Sequence, residues 1–202
     1  MLFRLLFTLS FMVNTTSFAK VEKGPKQGSD FPHFSVMDIK GKKVDTKQLI
    51  SQGPLVVLFY RGGWCPYCNR QLQAVNQEVF PKVNAAKGKV IAISVDKPEE
   101  GKKSGGNLND GWHIIADNDA KLVKQFGLDF VVPKKLVKTY KEKYQIDLEA
   151  SSGRTHHILP VPAIYVVDQK GKITYAYANE DYKVRAANKE VVSALMALKK
   201  GS

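Results

Sequence analysis

The sequence predicts an α/β fold in which helices flank a central mixed β-sheet. Short continuous apolar runs, which are typical of strands buried on both faces, alternate with segments that have the apolar spacing of helices. Near the C-terminus, two apolar runs flank a Gly-containing turn and an amphipathic segment follows them, which predicts a hairpin and a closing helix. Strands that alternate with helices and end in such a hairpin indicate a mixed sheet. At 202 residues the chain is long enough for one domain with its own hydrophobic core.

The first 19 residues have the pattern of an export signal. Arg4 lies near the start, residues 5–13 form a short apolar run, and the small residue Ala19 ends the segment. The run is shorter than the roughly 20 residues of a membrane span, which disfavours an uncleaved anchor. We therefore expect a signal peptide at residues 1–19, secretion across the inner membrane, a periplasmic location and no stable membrane insertion of the mature chain.

The first half of the chain is expected to lead into a strand that ends at the cysteines. Residues 20–30 are polar and contain Gly and Pro, so we expect a flexible tether before a domain that spans residues 31–202. Alternating apolar residues on both sides of Gly41 predict a hairpin. The remaining expectations are buried strands at 54–60, 89–96 and 112–117, a helix from Pro66 to about Phe80, and a mobile stretch at 101–111.

The second half is expected to complete the sheet. Asn118 is a suitable cap for a short helix that Gly127 ends. Residues 131–148 have an apolar stripe and many lysines, which predicts an inserted helix packed on the domain. A partner-docking or membrane-surface helix is the alternative for this segment. The last elements are strands at 162–168 and 172–178 and a helix at 188–200.

The charge pattern argues against a nucleic-acid partner. The formal net charge is +12, but the cations are spread along the chain and form no basic stripe interleaved with aromatic residues. A basic surface of this kind favours solubility and attraction of acidic partners.

The two cysteines of the chain form one CxxC motif between a predicted strand and a predicted helix. Gly62 and Gly63 allow a sharp turn after the strand, and Pro66 suits the first position of a helix. Cys65 is then close to the N-cap, and Cys68 is the third helical residue. We expect Cys65 to be the exposed nucleophile, with Cys68 placed to form a disulfide with it.

The surroundings of the motif favour a thiolate at Cys65. Free N–H groups and the positive end of the helix dipole lower the pKa of a thiol at this position. Arg61 and Arg70 are expected to add positive potential. Trp64 is expected to line the substrate site, whether that site is a peptide groove or a hydroperoxide pocket.

Other roles for the cysteines are disfavoured. A structural disulfide gains stability by closing a long loop, and CxxC closes a very short one. A zinc site needs more ligands than the chain offers, since there is no second CxxC motif and no pair of histidines at metal-ligand spacing. We expect no metal and no cofactor. A catalytically silent binding module remains as an alternative of a different class.

Four stretches resemble the peroxiredoxin-like branch of the alkyl hydroperoxide reductase/thiol-specific antioxidant (redoxin) family of the thioredoxin superfamily. They are LFYRGGWCPYC at 58–68, WHIIADNDAKLVKQFGL at 112–128, LPVPAIYVVDQKGKI at 159–173 and NEDYKVR at 179–185. The resemblance implies a thioredoxin-like fold and reduction of hydroperoxides with a thioredoxin-like electron donor. It also implies that Pro162 is a cis-proline that lies against the CxxC motif and helps to present substrate.

The site residues leave two reactions open. Peroxiredoxins of the typical pattern carry Pro-x-x-x-Thr/Ser-x-x-Cys, and neither Cys65 nor Cys68 has these residues before it. The substrate is therefore either a hydroperoxide or a protein disulfide, and fold alone does not decide between them. Arg185 either reaches the site and binds substrate or forms a structural ion pair with Asp181.

Overall fold

The computed structural model describes residues 23–105 and 108–198. The predicted signal peptide at 1–19 and the first three residues of the predicted tether lie outside the described residues. Within the described ranges, no helix has the length and apolar character needed to cross a membrane.

The described chain contains nine strands, eight α-helices and one π-helical turn. The strands are β1 Ser35–Met37, β2 Lys43–Asp45, β3 Leu55–Phe59, β4 Lys89–Ser94, β5 Trp112–Ala116, β6 Asp129–Val131, β7 Ile158–Pro160, β8 Ala163–Val167 and β9 Ile173–Ala178. The helices are α1 Thr46–Gln52, α2 Pro66–Ala74, α3 Phe80–Ala85, α4 Pro98–Gly105, α5 Lys121–Gln125, α6 Lys134–Tyr144, α7 Leu148–Ser152 and α8 Asn188–Leu198, with the π-helical turn Val75–Val79 between α2 and α3.

The central sheet has five strands in the order β5-β4-β3-β8-β9. β3, β4 and β5 are parallel, whereas β8 is antiparallel to β3 and β9 is antiparallel to β8. The predicted α/β fold with a mixed sheet is therefore confirmed. The register pairs Phe59 with Ile93 on one side and with Ala163 on the other. The C-terminal ends of β3 and β4 consequently lie beside the N-terminal end of β8. The residues that follow β3 and β4 therefore meet those that precede β8 at the same end of the sheet.

Both faces of the sheet are buried, and alternation along β3 assigns its side chains to two cores. Val57 and Phe59 belong to the core that also contains Phe126 of the segment after α5. Val56 and Leu58 belong to the opposite core, which contains both cysteines and the apolar residues of α2 and α8. The CxxC motif therefore lies on the face that α2 and α8 cover.

Several local predictions need correction. The helix after the CxxC motif continues through the π-helical turn and α3 to Ala85. Asn118 does not cap α5; the carboxylate of Asp117 accepts hydrogen bonds from the N–H groups of Lys121 and Val123 instead. Residues 101–105 of the stretch predicted to be mobile belong to α4, which begins at Pro98, and residues 106 and 107 lie outside the described residues.

The described part of the predicted tether is attached to the sheet. The N–H of Gly28 donates to the carbonyl of Ile173, and the N–H of Ile173 donates to the carbonyl of Ser29. Lys23 forms an ion pair with Glu180 at 3.3 Å. The first two contacts are made with the first residue of β9 and the third with a residue that follows the strand, so the described part of the tether is held at both of its ends.

An excursion separates α5 from β8 and contains the inserted helix that the sequence predicts. β6 and β7 pair antiparallel at its two ends, a pairing that the sequence pattern did not indicate. α6 and α7 lie between them. The excursion therefore leaves and rejoins the domain at neighbouring points, immediately before Pro162.

Candidate active site

The turn between β3 and α2 is fixed from both sides. The N–H of Gly63 donates to Oδ2 of Asp96 at 2.7 Å, and Nδ2 of Asn69 donates to the carbonyl of Gly63 at 2.7 Å. Gly62 has φ +153°, a conformation that favours glycine. A Cβ at Gly62 would also lie 2.8 Å from Oδ1 of Asp96 and would overlap the indole of Trp64. Glycine is therefore required at position 62, because any other residue would place a Cβ too close to Trp64 and Asp96.

The predicted positions of the cysteines on the helix are confirmed. Cys65 is the N-cap residue of α2, with extended φ −91° and ψ 112°, and Pro66 is the first helical residue. Cys68 follows as the third helical residue. The thiol of Cys68 donates to the sulfur of Cys65, and the two sulfurs are 2.6 Å apart. The two thiols are thus in direct contact.

The expectation that Cys65 is exposed is wrong. Its exposed fraction is 1%, and that of Cys68 is 0%. The ring of Tyr182 lies 4.0 Å from the guanidinium carbon of Arg61 and makes an edge contact with Tyr67 at 5.8 Å between ring centroids. Because Arg61 precedes the motif and Tyr67 lies within it, Tyr182 extends across the start of α2. The residues on either side of Cys65 in sequence are thus packed against a distant ring, and Cys65 itself is buried.

The hydrogen bond between the cysteines separates their acidities. The pKa of Cys65 is lowered to about 6, first by the hydrogen bond from Cys68, which outweighs burial, and then by the N–H of Cys68 and the positive charges of Arg61 and Arg185. Burial, followed by the same bond to Cys65, raises the pKa of the Cys68 thiol. Cys65 is therefore the thiolate, and Cys68 remains the protonated donor.

Arg61 and Arg185 supply positive charge at the thiols, whereas Arg70 is not among the causes of the lowered pKa of Cys65. Nη2 of Arg185 donates to the sulfur of Cys68 at 3.4 Å. Arg70, which the sequence placed near the thiols, instead lies over the ring of Tyr67 at 5.9 Å. Within the described ranges Arg185 forms no ion pair with Asp181. Of the two roles expected for Arg185, the geometry therefore favours the position at the thiols. Its Nε and Nη1 are buried and donate to no acceptor among the described residues.

Arg61 is buried in an aromatic enclosure. Its exposed fraction is 6%, and its guanidinium carbon lies 5.1 Å from the Trp64 ring and 5.4 Å from the Tyr140 ring. Nη2 donates to the hydroxyl of Tyr140 at 2.5 Å. Cation–π contacts of this kind hold the charge without a carboxylate. Arg61 and Trp64 therefore lie at the site as expected, with Tyr140 contributed by α6.

Pro162 lies at the end of the sheet from which β3 leads to the cysteines, but the peptide bond before it does not have the expected cis conformation. It directly precedes β8, where Ala163 pairs with Phe59, so it is near the point at which the chain turns toward the cysteines. No peptide bond of the described residues is cis, and the expected cis bond before Pro162 is therefore wrong. The chain runs from β7 into β8 through Val161, whose N–H donates to the carbonyl of Leu128, and a trans bond satisfies this extended path.

A buried polar group beneath the turn was missed at the sequence level. Asp96 follows β4 and is 1% exposed, and burial raises its pKa to about 6 although Gly63 and Ser94 donate hydrogen bonds to it. Burial also raises the pKa of Tyr60 to about 12. The sequence signal that could have indicated this group was a carboxylate at the end of an apolar strand.

Among the described residues, no cluster of three or more His, Cys, Asp or Glu has the arrangement of a metal site.

Comparisons with known proteins agree with this geometry. The AhpC/TSA family matches residues 27–176. Thiol-disulfide oxidoreductase ResA of Bacillus cereus is 26% identical over 166 residues, which are 82% of this chain and 77% of that protein. Chloroplastic peroxiredoxin Q of Triticum aestivum is 27% identical over 154 residues, which are 76% of this chain and 59% of that protein.

Solved structures share the fold. Peroxidoxin BcpB of Mycobacterium tuberculosis superposes with a TM-score of 0.65 at 17% identity and covers 86% of this chain and 97% of its own. Yeast mitochondrial 1-Cys peroxiredoxin gives a TM-score of 0.65 at 19% identity, with 87% of this chain and 77% of its own covered. The match to the family spans most of the chain. The chain belongs to the AhpC/TSA family and is a thiol-based oxidoreductase with a thioredoxin-like fold.

Proposed function

We propose that the chain reduces small hydroperoxides through a dithiol–disulfide cycle in which Cys65 attacks and Cys68 resolves. The observation that supports this most is the combination of a lowered pKa and deep burial at Cys65. A protein disulfide needs a length of polypeptide laid against the attacking sulfur, whereas a hydroperoxide is small enough to reach a sulfur that is 1% exposed after a minor local opening. The thiolate supplies the reactivity and the enclosure selects for size.

The first step oxidises Cys65. Its thiolate attacks the terminal oxygen of the hydroperoxide, a sulfur–oxygen bond forms, and the oxygen–oxygen bond breaks. The alkoxide leaves and takes a proton from solvent to become the alcohol, while Cys65 becomes sulfenic acid. Arg61 holds positive charge near Cys65, which stabilises both the thiolate and the negative charge that develops on oxygen.

The second step joins the two sulfurs. Cys68 attacks the sulfenic sulfur, the disulfide forms, and the sulfur–oxygen bond breaks with loss of water that carries the Cys68 proton. Arg185 donates to the Cys68 sulfur and therefore stabilises the charge on it as its proton leaves. Two electrons from an external dithiol protein of the thioredoxin type then restore the thiols.

The test is stopped-flow oxidation of the reduced protein by hydrogen peroxide, followed by tryptophan fluorescence. We expect a second-order reaction far faster than that of a free thiol, which disappears in Cys65→Ser. In Cys68→Ser the first step should persist and leave a sulfenic acid that a selective trapping reagent labels. A rate equal to that of a free thiol would contradict the proposal.

A second candidate function is disulfide exchange with proteins. It is favoured by the absence of a Thr or Ser hydroxyl three residues before either cysteine, where Gly62 and Cys65 stand. Relatives named thiol-disulfide oxidoreductase ResA support it. A slow reaction with peroxide, together with fast reduction of a disulfide-bonded protein, would favour this candidate.

The proposal includes export and the first 19 residues as the export signal. The support is the arrangement of Arg4, the apolar run and Ala19. We expect expression of the full chain in a bacterium with two membranes to yield a periplasmic protein whose first residue is Lys20. Recovery of an intact N-terminus in the cytoplasm would refute this part.

A further inference from the structure

A groove of about 300 Å³ lies beside the CxxC motif on the exposed side of α2. One wall is formed by α2 and the π-helical turn, and the other by the segment before α8. The residues that matter for its chemistry are Tyr67, Arg70, Glu78, Lys183, Arg185 and Asn188. Tyr67 lies between the two cysteines in sequence, so the groove begins at the reactive motif.

The groove carries three cationic side chains and one carboxylate. Glu78, the carboxylate, accepts a hydrogen bond from Nδ2 of Asn188 at 3.1 Å. None of Arg70, Lys183 and Arg185 forms an ion pair with a carboxylate in the described ranges. Arg70 instead lies 5.9 Å from the Tyr67 ring, and Lys183 lies 5.9 Å from the Tyr182 ring. The three cations therefore outnumber the single carboxylate of the groove, and none of them is paired with a carboxylate in the described ranges.

Arg185 connects the groove to the thiols. It lines the groove, and its Nη2 donates to the sulfur of Cys68 at 3.4 Å. Two of its nitrogens have no acceptor, so its charge is incompletely satisfied by the protein. The Arg185 side chain alone therefore spans the distance from the groove to the Cys68 sulfur.

We infer that this groove binds the carboxylate of an acidic organic hydroperoxide and holds its hydroperoxide group toward Cys65. The inference rests on the proposed function. The groove is at the small end of ligand sites, which fits a small molecule, and its charges fit a carboxylate. The carboxylate takes no part in bond changes: the oxygen–oxygen bond still breaks at Cys65, and the product is the corresponding acidic alcohol.

The experiment compares three oxidants on the reduced full-length protein by stopped-flow fluorescence. They are hydrogen peroxide, cumene hydroperoxide with a carboxylate para to the side chain, and the methyl ester of that acid. The last two differ in charge at the far end of the molecule and share the reacting group. We expect the acid to react about fivefold or more faster than the ester at low salt, given the size of exposed ion-pair energies. High salt should bring the ratio toward one because it screens exposed charges.

Substitutions of groove residues test whether the preference for the acid over the ester arises in the groove. Lys183→Gln is expected to reduce the acid-to-ester ratio at least threefold and to leave the rates with the ester and with hydrogen peroxide unchanged. Arg70→Gln should act in the same direction. Lys43→Gln is the matched control, because Lys43 is an exposed cation on β2 that does not line the groove, and the ratio should be unaffected.

The results distinguish a failure of the groove assignment from a failure of the proposed peroxide reduction. An acid-to-ester ratio near one in the unmodified protein, or a raised ratio that Lys183→Gln and Arg70→Gln both leave intact, overturns the groove assignment while peroxide reduction stands. Free-thiol rates with all three oxidants overturn the proposed function itself, and the groove assignment with it.

Discussion

Removing the hydrogen bond that Cys68 donates should raise the pKa of Cys65. That bond is the largest cause of the lowered pKa of about 6, against an ordinary value of 9.0. At pH 7 a thiol with a pKa near 6 is about 90% thiolate, and one with a pKa near 9 is about 1% thiolate. In Cys68→Ala we expect the titration midpoint of Cys65 to rise by at least ~1 pH unit, because the largest lowering cause is lost. The midpoint should stay below the ordinary value, because the backbone N–H of residue 68 and the two arginines remain.

The midpoint is a better measurement than the rate at a single pH. A thiolate becomes intrinsically more nucleophilic as its pKa rises, with a Brønsted coefficient of about 0.4–0.5, so much of the loss in thiolate is offset. The assay is the ultraviolet absorbance of the thiolate as a function of pH, checked by the pH profile of alkylation. Cys68→Ser is the matched control, since its hydroxyl still donates to Cys65 and should keep a low midpoint. Equal midpoints in Cys68→Ala and the unmodified reduced protein would refute the assignment of cause.

Three further predictions concern residues around the thiols. Because burial raises the pKa of Asp96 to about 6, the folded protein binds more protons than the unfolded chain between the ordinary value of 3.8 and that pH, and stability from this group falls as pH rises through it. Asp96→Asn should therefore raise the melting temperature above pH 6 and have a smaller effect below pH 4, as followed by circular dichroism; a benefit that is constant with pH would contradict this. Gly62→Ala should lower the free energy of unfolding by about 2 kcal/mol or more, through backbone strain and overlap with Trp64, whereas Gly41→Ala, with open space around it, should cost about 1 kcal/mol in denaturant titrations. Arg185→Met should slow disulfide formation after oxidation about tenfold, and Arg185→Lys less, in a quenched-flow assay of sulfenic acid; equal loss in both would point to a packing role.

The sheet was predictable because its strands are buried on both faces. Runs such as residues 54–60 leave a continuous apolar signal, and Gly171 marks the turn of the last hairpin. The pairing of β6 with β7 was not visible, since each strand has three residues and their partners are about thirty residues apart. Short strands of that kind depend on tertiary contacts rather than on a local pattern.

The core of the site was also predictable, and its enclosure was not. Local rules place Cys65 at the N-cap, with Pro66 in the first turn, because both depend on neighbouring residues. Tyr140 and Tyr182 approach Arg61 from segments far away in the sequence, and nothing in the spacing of either residue indicates that contact. The burial of Cys65 likewise depends on tertiary packing, which local spacing does not reveal, and its exposure was therefore wrongly expected.

The excursion between α5 and β8 has a consequence for how such a site diversifies. Its two ends are paired by β6 and β7, and its helix α6 supplies Tyr140 to Arg61 and Trp64. The five strands of the central sheet, of which β3 leads into the CxxC motif, pair with one another and not with the excursion. Substitutions or changes of length in α6 therefore alter the aromatic contacts of Arg61 and Trp64, while the strands of the central sheet keep their pairing. The aromatic surroundings of Arg61 can therefore vary, in evolution or by design, through a segment that the central sheet does not need for its own pairing.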